Sequence, residues 1–352
     1  MTASDTNVAE ATEQAAARRI LDLFLPAAAA LAVQRLPGGL SGAAVFVCQS
    51  TDQKFALKRW PPGTKAARVD EVHQWLTESR RTCSLIPALV RSTLGATRLS
   101  WESYHYELAT WVPGEPVDDQ SDGDRLAEMI AAGAEAIAKF HDSARHLGVS
   151  NSPPPAVLRR LGRIDALRRE LPAALADQPS PTPTLRWAAD WLRRVGSGTL
   201  DAAAFRLGRW AGQLLPTQVV LRDVHRDHVL FLDHRVSGIV DFDALGIDSI
   251  AADLGRWVAG LLSRELTEPA ESADRLWAAA ERGYRRYGRI SSGEIELARD
   301  IAAASEVIQL ANWVVWTHSD WPRFHHCKDL VDRRVSEIMR RMESDPNRLS
   351  AG

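Results

Sequence analysis

The stretch LRDVHRDHVLFLDHRVSGIVDFD, Leu221 to Asp243, decides how this chain is read. It sets Asp223 and Asp241 eighteen residues apart, with His228 between them. Val229–Leu232 is an apolar run, Asp233-His234-Arg235 a polar turn, and Val236–Val240 a second apolar run that carries Asp241 to a strand end. That is a β-hairpin pattern. Transfer of a phosphoryl group from ATP needs two carboxylates on rigid backbone, one beside the acceptor hydroxyl and one holding Mg²⁺ on the phosphates. Asp is common in the turns of surface hairpins. The string IVDFD goes further than a turn, because an acidic residue closes an apolar strand and Phe follows it.

On these residues the chain resembles the aminoglycoside phosphotransferase family, small-molecule kinases of the protein-kinase-like fold. The catalytic loop of that family reads approximately H-G-D-x-H-x-x-N, and its metal motif is I-D-F/W followed by Gly, Glu or Asp. The resemblance implies Asp223 as the catalytic Asp, His225 as the His that follows it and supports the loop, and Asp241 as the metal-binding Asp. Leu221-Arg222 stands in place of His-Gly, and His228 in place of the Asn. An Asn carbonyl is a hard oxygen ligand suited to Mg²⁺, whereas imidazole nitrogen suits Mn²⁺, Co²⁺ or Zn²⁺ better. The implied metal site is therefore Asp241 with His228, for Mg²⁺ or alternatively Mn²⁺. A protein-kinase register on His225-Arg226-Asp227 fails: it wants Asn at Leu232, inside the apolar run, and leaves Asp227 only fourteen residues before Asp241.

Working outward, the front of the chain reads as β-rich with strands at Ala32–Leu36, Ala44–Gln49, Lys54–Trp60 and Tyr104–Val112. One helix is expected near Lys65–Thr82, after the breaker Pro61-Pro62-Gly63. From Asp124 the pattern turns helical, with apolar residues three to four apart over Leu126–His146 and further helices beyond. The only strands expected after Gly114 flank the catalytic motif, and no internal repeat is present. A β-rich front followed by a large helical part is the order of a two-lobed α+β kinase. The expected division is an N-terminal extension or amphipathic helix over residues 1–30, frayed to about residue 14, a nucleotide-binding lobe over 31–113, and a helical lobe over 114–352 that holds the catalytic loop 221–243.

The turn between the first two strands contains Gly38, Gly39, Ser41 and Gly42, and its three glycines would let backbone N–H groups approach phosphate without a Cβ in the way. Lys58 follows on the third strand in Phe55-Ala-Leu-Lys58 and resembles the strand lysine of the family, which contacts the α- and β-phosphates. Helix residues Glu71, His73 and Glu78 are candidates to orient it, and Glu71, thirteen residues after Lys58, is the choice. Glu107–Gly114 resembles the family's strand-to-linker segment, so backbone groups of Thr110 and Val112 are implied to meet the adenine edge. Asp253, in Ala252-Asp-Leu-Gly255, resembles a structural Asp that accepts hydrogen bonds from the catalytic-loop backbone.

Bulk composition bounds the rest. The chain has 352 residues, 45% hydrophobic and 25% charged, which is ordinary for a soluble globular protein. A formal charge of −2 argues against a nucleic-acid or anionic-membrane binder. Three scattered cysteines, Cys48, Cys83 and Cys327, suit a reducing compartment and give neither a disulfide framework nor a zinc spacing. Arg18-Arg19 before ILDLFLPAAAALAV imitates a secretory signal, but Asp22 and Pro26 interrupt the apolar run, so the cytoplasm is expected. No uninterrupted apolar run reaches the ~18 residues of a membrane span. From Ala244 to Gly352 there are 17 acidic and 15 basic residues, a balance that tilts against a polycationic acceptor and towards a neutral or zwitterionic metabolite. The expected activity is ATP- and Mg²⁺-dependent phosphorylation of a small-molecule hydroxyl. The alternative is a pseudokinase-type module that holds nucleotide or a partner without chemistry.

Overall fold

The computed structural model describes residues 3–26, 31–37, 42–117, 123–176, 181–261, 269–324 and 327–344. The chain forms two compact units, Met1–Gly114 with Ser237–Asp243, and Glu115–Val236 with Ala244–Gly352. The architecture is α+β, with a β-sheet N-terminal region and a helical C-terminal region.

The first unit is built on five antiparallel strands: β1 (Ala32–Arg35), β2 (Ala44–Gln49), β3 (Lys54–Arg59), β4 (Arg98–Trp101) and β5 (Tyr104–Thr110). Their order across the sheet is β1-β2-β3-β5-β4. Alternation along β2 and β5 sends Ala44, Phe46, Cys48, Tyr106 and Leu108 to one face, joined by Leu57 of β3. Helix α1 (Ala3–Phe24) covers that face with Ala17, Ile20, Leu21 and Phe24, a stripe at three-to-four spacing. Its polar flank ties down the sheet margin. Gln14 donates to the Val33 carbonyl at 2.6 Å, and Glu13 pairs with Arg59 at 2.9 Å and Arg35 at 3.2 Å. The stretch expected to be frayed is thus helical from Ala3, and of the apolar residues that imitate a signal sequence Ile20, Leu21, Phe24 and Leu31 lie in the core. Helix α2 (Ala66–Arg80) lies within the expected span. Strand β4 was not expected, because Arg98-Leu-Ser-Trp101 has too few apolar residues to read as a strand on its own.

The second unit packs helices α3 (Gly123–Ala144), α4 (Pro155–Ala176), α5 (Pro183–Gly208), α6 (Ala251–Leu261), α7 (Pro269–Arg285), α8 (Ser292–Ser319), α9 (Trp321–Phe324) and α10 (Lys328–Ser344). Two glycines let helices touch by backbone. A Cβ at Gly283 of α7 would lie 2.0 Å from the Ala131 carbonyl oxygen of α3, and one at Gly255 of α6 2.5 Å from that of Ala298 on α8. A small sheet sets β7 (Leu215–Val220) between β6 (Ser150–Ser152) and β10 (Gly246–Asp248). Strands β8 (Val229–Leu232) and β9 (Arg235–Ile239) form the hairpin expected from the sequence. Strand β6 is an unexpected addition. Its residues are all polar, and it exists because Ser150 and Ser152 each bond the Thr217 hydroxyl at 3.0 Å. No helix among the described residues is long and apolar enough to cross a membrane.

Candidate active site

In the first unit, Lys58 stands at the charged centre. It faces away from the α1-covered core because its neighbour Leu57 faces into it. Its Nζ donates to Asp241 Oδ1 at 2.7 Å and to Asp243 Oδ1 at 2.6 Å. Residues 239–243 reach it because the Ile239 N–H bonds the Leu85 carbonyl at 2.9 Å and Ser237 Oγ bonds the Pro113 carbonyl. Asp241 has a φ of 62°, the left-handed region, which Asp tolerates better than most residues but still at a cost. Burial alone would lower the Lys58 ammonium, but the charges of Asp243, Asp241 and Glu107 outweigh it and raise it. Lys58 is therefore a cation at any physiological pH. Burial pushes Asp243 up to about 6 against the pull of Lys58.

The carboxylate that connects α2 to this centre is not Glu71. Glu71 lies half exposed and accepts from Arg68 Nη1 at 2.8 Å, so the Lys58–Glu71 pair expected from the sequence is replaced by another arrangement. Glu107, directly opposite Lys58 in the β3–β5 register, accepts from Trp60 Nε1 at 2.6 Å and from His73 Nε2 at 2.7 Å. The α2 contribution is thus His73, one of the three helix candidates. Burial alone would raise Glu107, yet the His73 hydrogen bond and the Lys58 charge hold its carboxyl below the ordinary value. Of the turn glycines, Gly38 and Gly39, with Ser41, lie outside the described residues. Gly42 has a φ of 79°, and a Cβ there would lie 3.2 Å from Pro62 Cδ. At the strand end, the Thr110 N–H already donates to the Ala88 carbonyl at 2.9 Å, so that donor is engaged within the sheet margin. Val112 is buried, and its side chain lies against Gly238.

In the second unit, a buried carboxylate shapes the loop that carries Asp223. Asp253, in the first turn of α6, accepts from the Leu221 N–H at 2.7 Å and the Arg222 N–H at 2.6 Å. His141 donates to the same carboxylate at 2.9 Å through Nε2, and its Nδ1 bonds the Tyr284 hydroxyl at 2.8 Å. These bonds hold Arg222 at a φ of 66°, which a long side chain rarely adopts, and so fix the direction in which Asp223 leaves the strand.

Asp223, His225 and His228 offer one ligand atom each within 4.8 Å of one another. The His228 Nδ1–H donates to the Asp223 carbonyl at 2.8 Å, which leaves the lone pair of a neutral ring on Nε2. The His225 and His228 rings lie 3.8 Å apart, and His225 Nδ1 accepts from the Asp227 N–H at 3.3 Å. Arg256 of α6, which sequence reasoning passed over, bonds the Asp223 carboxylate. The loop is anchored beyond this cluster by Arg334–Asp227 at 3.1 Å and Arg226–Glu337 at 3.4 Å. Two donor sets thus emerge: a hard carboxylate, Asp241, beside an ammonium, and a nitrogen-rich set of two imidazoles with Asp223. The first suits Mg²⁺, the second a transition metal.

Residues 32–289 match the model of a family described as the phosphotransferase enzyme family. No curated protein sequence matches the chain. Among solved structures, an aminoglycoside phosphotransferase from Alicyclobacillus acidocaldarius subsp. acidocaldarius DSM 446 is 16% identical, with a TM-score of 0.59 over 92% of this chain and 91% of that one. The amicoumacin kinase hAmiN, in complex with AMP-PNP, Ca²⁺ and its ligand, is 13% identical, with a TM-score of 0.57 over 89% and 91%. A spectinomycin phosphotransferase with ADP and spectinomycin is 10% identical, with a TM-score of 0.56 over 87% and 93%. At these identities the likeness is one of fold.

Proposed function

This chain belongs to the phosphotransferase enzyme family, and on that premise we propose that it transfers the terminal phosphoryl group of ATP to a hydroxyl of a small molecule. The observation that carries the reading is Lys58, a buried ammonium held by Asp241 and Asp243 from residues 183 and 185 positions away. A lysine in solvent needs no such pair. One that is desolvated and aimed by carboxylates is pre-organised to bind phosphate oxygens.

In this reading Lys58 contacts the phosphates while Glu107 and His73 hold the strand face behind it. Asp241 offers a carboxylate oxygen to a divalent metal, and a bound Mg²⁺ would neutralise phosphate charge during transfer. Asp223 orients the acceptor hydroxyl and takes its proton. Asp253 and His141 act through the Leu221-Arg222 backbone to keep Asp223 in place. In a loose phosphoryl-transfer transition state, such positioning and charge neutralisation account for most of the rate.

One observation favours a nucleotide-binding module without chemistry. The Arg256 guanidinium occupies the Asp223 carboxylate and so competes with an acceptor hydroxyl for it. A coupled ADP-release assay separates the two. Asp223→Asn is expected to keep the thermal stabilisation by ATP and Mg²⁺ but to lose turnover by roughly 10²-fold or more. Turnover near that of the wild type in the variant would remove Asp223 from the chemistry. Nucleotide stabilisation that ignores metal, with no hydrolysis by the wild type, would establish the module.

A further inference from the structure

We propose that α10 positions the loop that carries Asp223, which makes Arg334 and Glu337 positioning residues for phosphoryl transfer. This deepens the kinase reading and rests on it. The family pattern H-x-x-N leaves two positions of the loop open, and this chain fills them with charge, Arg226 and Asp227. Both charges turn to α10. Arg334 Nη2 donates to Asp227 Oδ2 at 3.1 Å, and Arg226 Nη2 donates to Glu337 Oε1 at 3.4 Å. Arg226 Nε also lies 3.7 Å from Asp227 Oδ1. The four side chains therefore alternate in sign in the order Arg334, Asp227, Arg226, Glu337. The two from α10 are three residues apart, so they share one face of the helix. An isolated exposed ion pair contributes little, whereas several charges in a network hold one another in a single geometry. The Arg226 and Glu337 side chains are only 15% and 20% exposed, which limits screening of that pair by salt.

Helix α10 is a firm support for this network. Val331, Val335, Ile338 and Met339 are buried. Asp332 accepts from the Thr182 hydroxyl that caps α5, and Arg341 pairs with Glu306 of α8 at 3.1 Å. The family match ends at residue 289, so α10 lies wholly beyond it. From the network to Asp223 the route runs through short contacts. The Asp227 N–H donates to His225 Nδ1 at 3.3 Å, and the His228 N–H donates to the His225 carbonyl at 2.9 Å. His228 Nδ1 then donates to the Asp223 carbonyl at 2.8 Å. Arg226–His228 form a single 3-10 turn, so a shift of the two charged residues carries His228 with it and disturbs the Asp223 backbone. Asp253 holds the chain just before Asp223, at Leu221 and Arg222, and α10 holds it just after. A misplacement of about 1 Å can cost a transfer reaction roughly 10²-fold.

Two measurements test the inference, each with rescue by charge exchange. In nucleotide-free protein, Asp227→Arg and Arg334→Asp are each expected to lower the hydrogen-exchange protection of the His228 N–H roughly 10-fold relative to the α8 amides. The double variant is expected to recover most of it. Unchanged protection in the single variants, or no recovery in the double, overturns the proposal. Because no ATP is present, that failure leaves the Lys58 reading standing. If a charge reversal does not fold, Asp227→Asn and Arg334→Gln remove the pair without repulsion and are expected to lower the protection several-fold; unchanged protection overturns the proposal here too. With ATP and Mg²⁺, and water as the acceptor, ADP release by each single variant should fall roughly 10- to 100-fold in kcat while KM for ATP changes less than about twofold, and kcat should recover in the double variant. A lowered melting temperature with kcat unchanged would make α10 a structural helix only and overturn the proposal. No turnover by the wild type would instead remove the kinase reading and the transfer role together, and the exchange result would still decide whether α10 holds the loop.

Discussion

At the scale of single residues, the Lys58 centre has a pH signature. Asp243 shares one ammonium with Asp241, and burial raises it to about 6 from an ordinary carboxylate value. The folded chain then holds a proton on Asp243 that the unfolded chain releases between its ordinary pKa and about 6. Its contribution to stability is present below the unfolded pKa and is lost as pH rises through about 6. Asp243→Asn cannot titrate there. The melting temperature of the variant should therefore gain on that of the wild type between pH 5 and pH 7, in nucleotide-free protein. A difference independent of pH would refute the shift. The two ends of this centre were legible to different degrees. Lys58 and Asp241 were found by motif, whereas Glu107 was not, since only the antiparallel register places it opposite Lys58. Glu71 misled because its helical spacing suits a partner, yet Arg68 lies one turn before it on the same face and captures it.

At the scale of elements, α1 shows how a pattern can be read correctly yet assigned too little. Its apolar residues were recognised, but the sheet face that they cover depends on strands that lie further along the chain. Phe24, 3% exposed, packs in that core with Phe46, Leu57 and Leu108. Phe24→Ala should cost roughly 3 kcal/mol of stability in urea unfolding, as large-to-small core changes do. A loss under about 1 kcal/mol would mean that α1 is a loose cover and not a core helix. The hairpin was legible because apolar runs and a polar turn mark it directly. Strand β6 was not, because its pairing partners in β7 lie 63 or more residues away and supply what its own sequence lacks.

At the scale of the whole molecule, the chain passes through the first unit twice. The division expected from composition was linear, because no local signal announces that seven residues, Ser237–Asp243, belong with a sheet more than a hundred positions earlier. Their N–H groups should report that membership. The Ile239 N–H bonds Leu85 of the first unit, while the Phe231 N–H, eight residues earlier, bonds Glu115 of the second at 2.8 Å. In native-state hydrogen exchange Ile239 is expected to open with the amides of β3 and β5, and Phe231 with those of the helical unit. Identical opening free energies for Ile239 and Phe231, distinct from those of the sheet, would contradict this.

The double passage also sets an order of events during synthesis. The five strands and α1 have all been synthesised once residue 114 is made, but the carboxylates that hold Lys58 follow up to another 129 residues later. At about 5–20 residues per second that is roughly 6–26 seconds. For that interval the nascent sheet carries the Lys58 ammonium opposite Glu107 and without Asp241 and Asp243, so the lysine is in place well before the carboxylates that hold it.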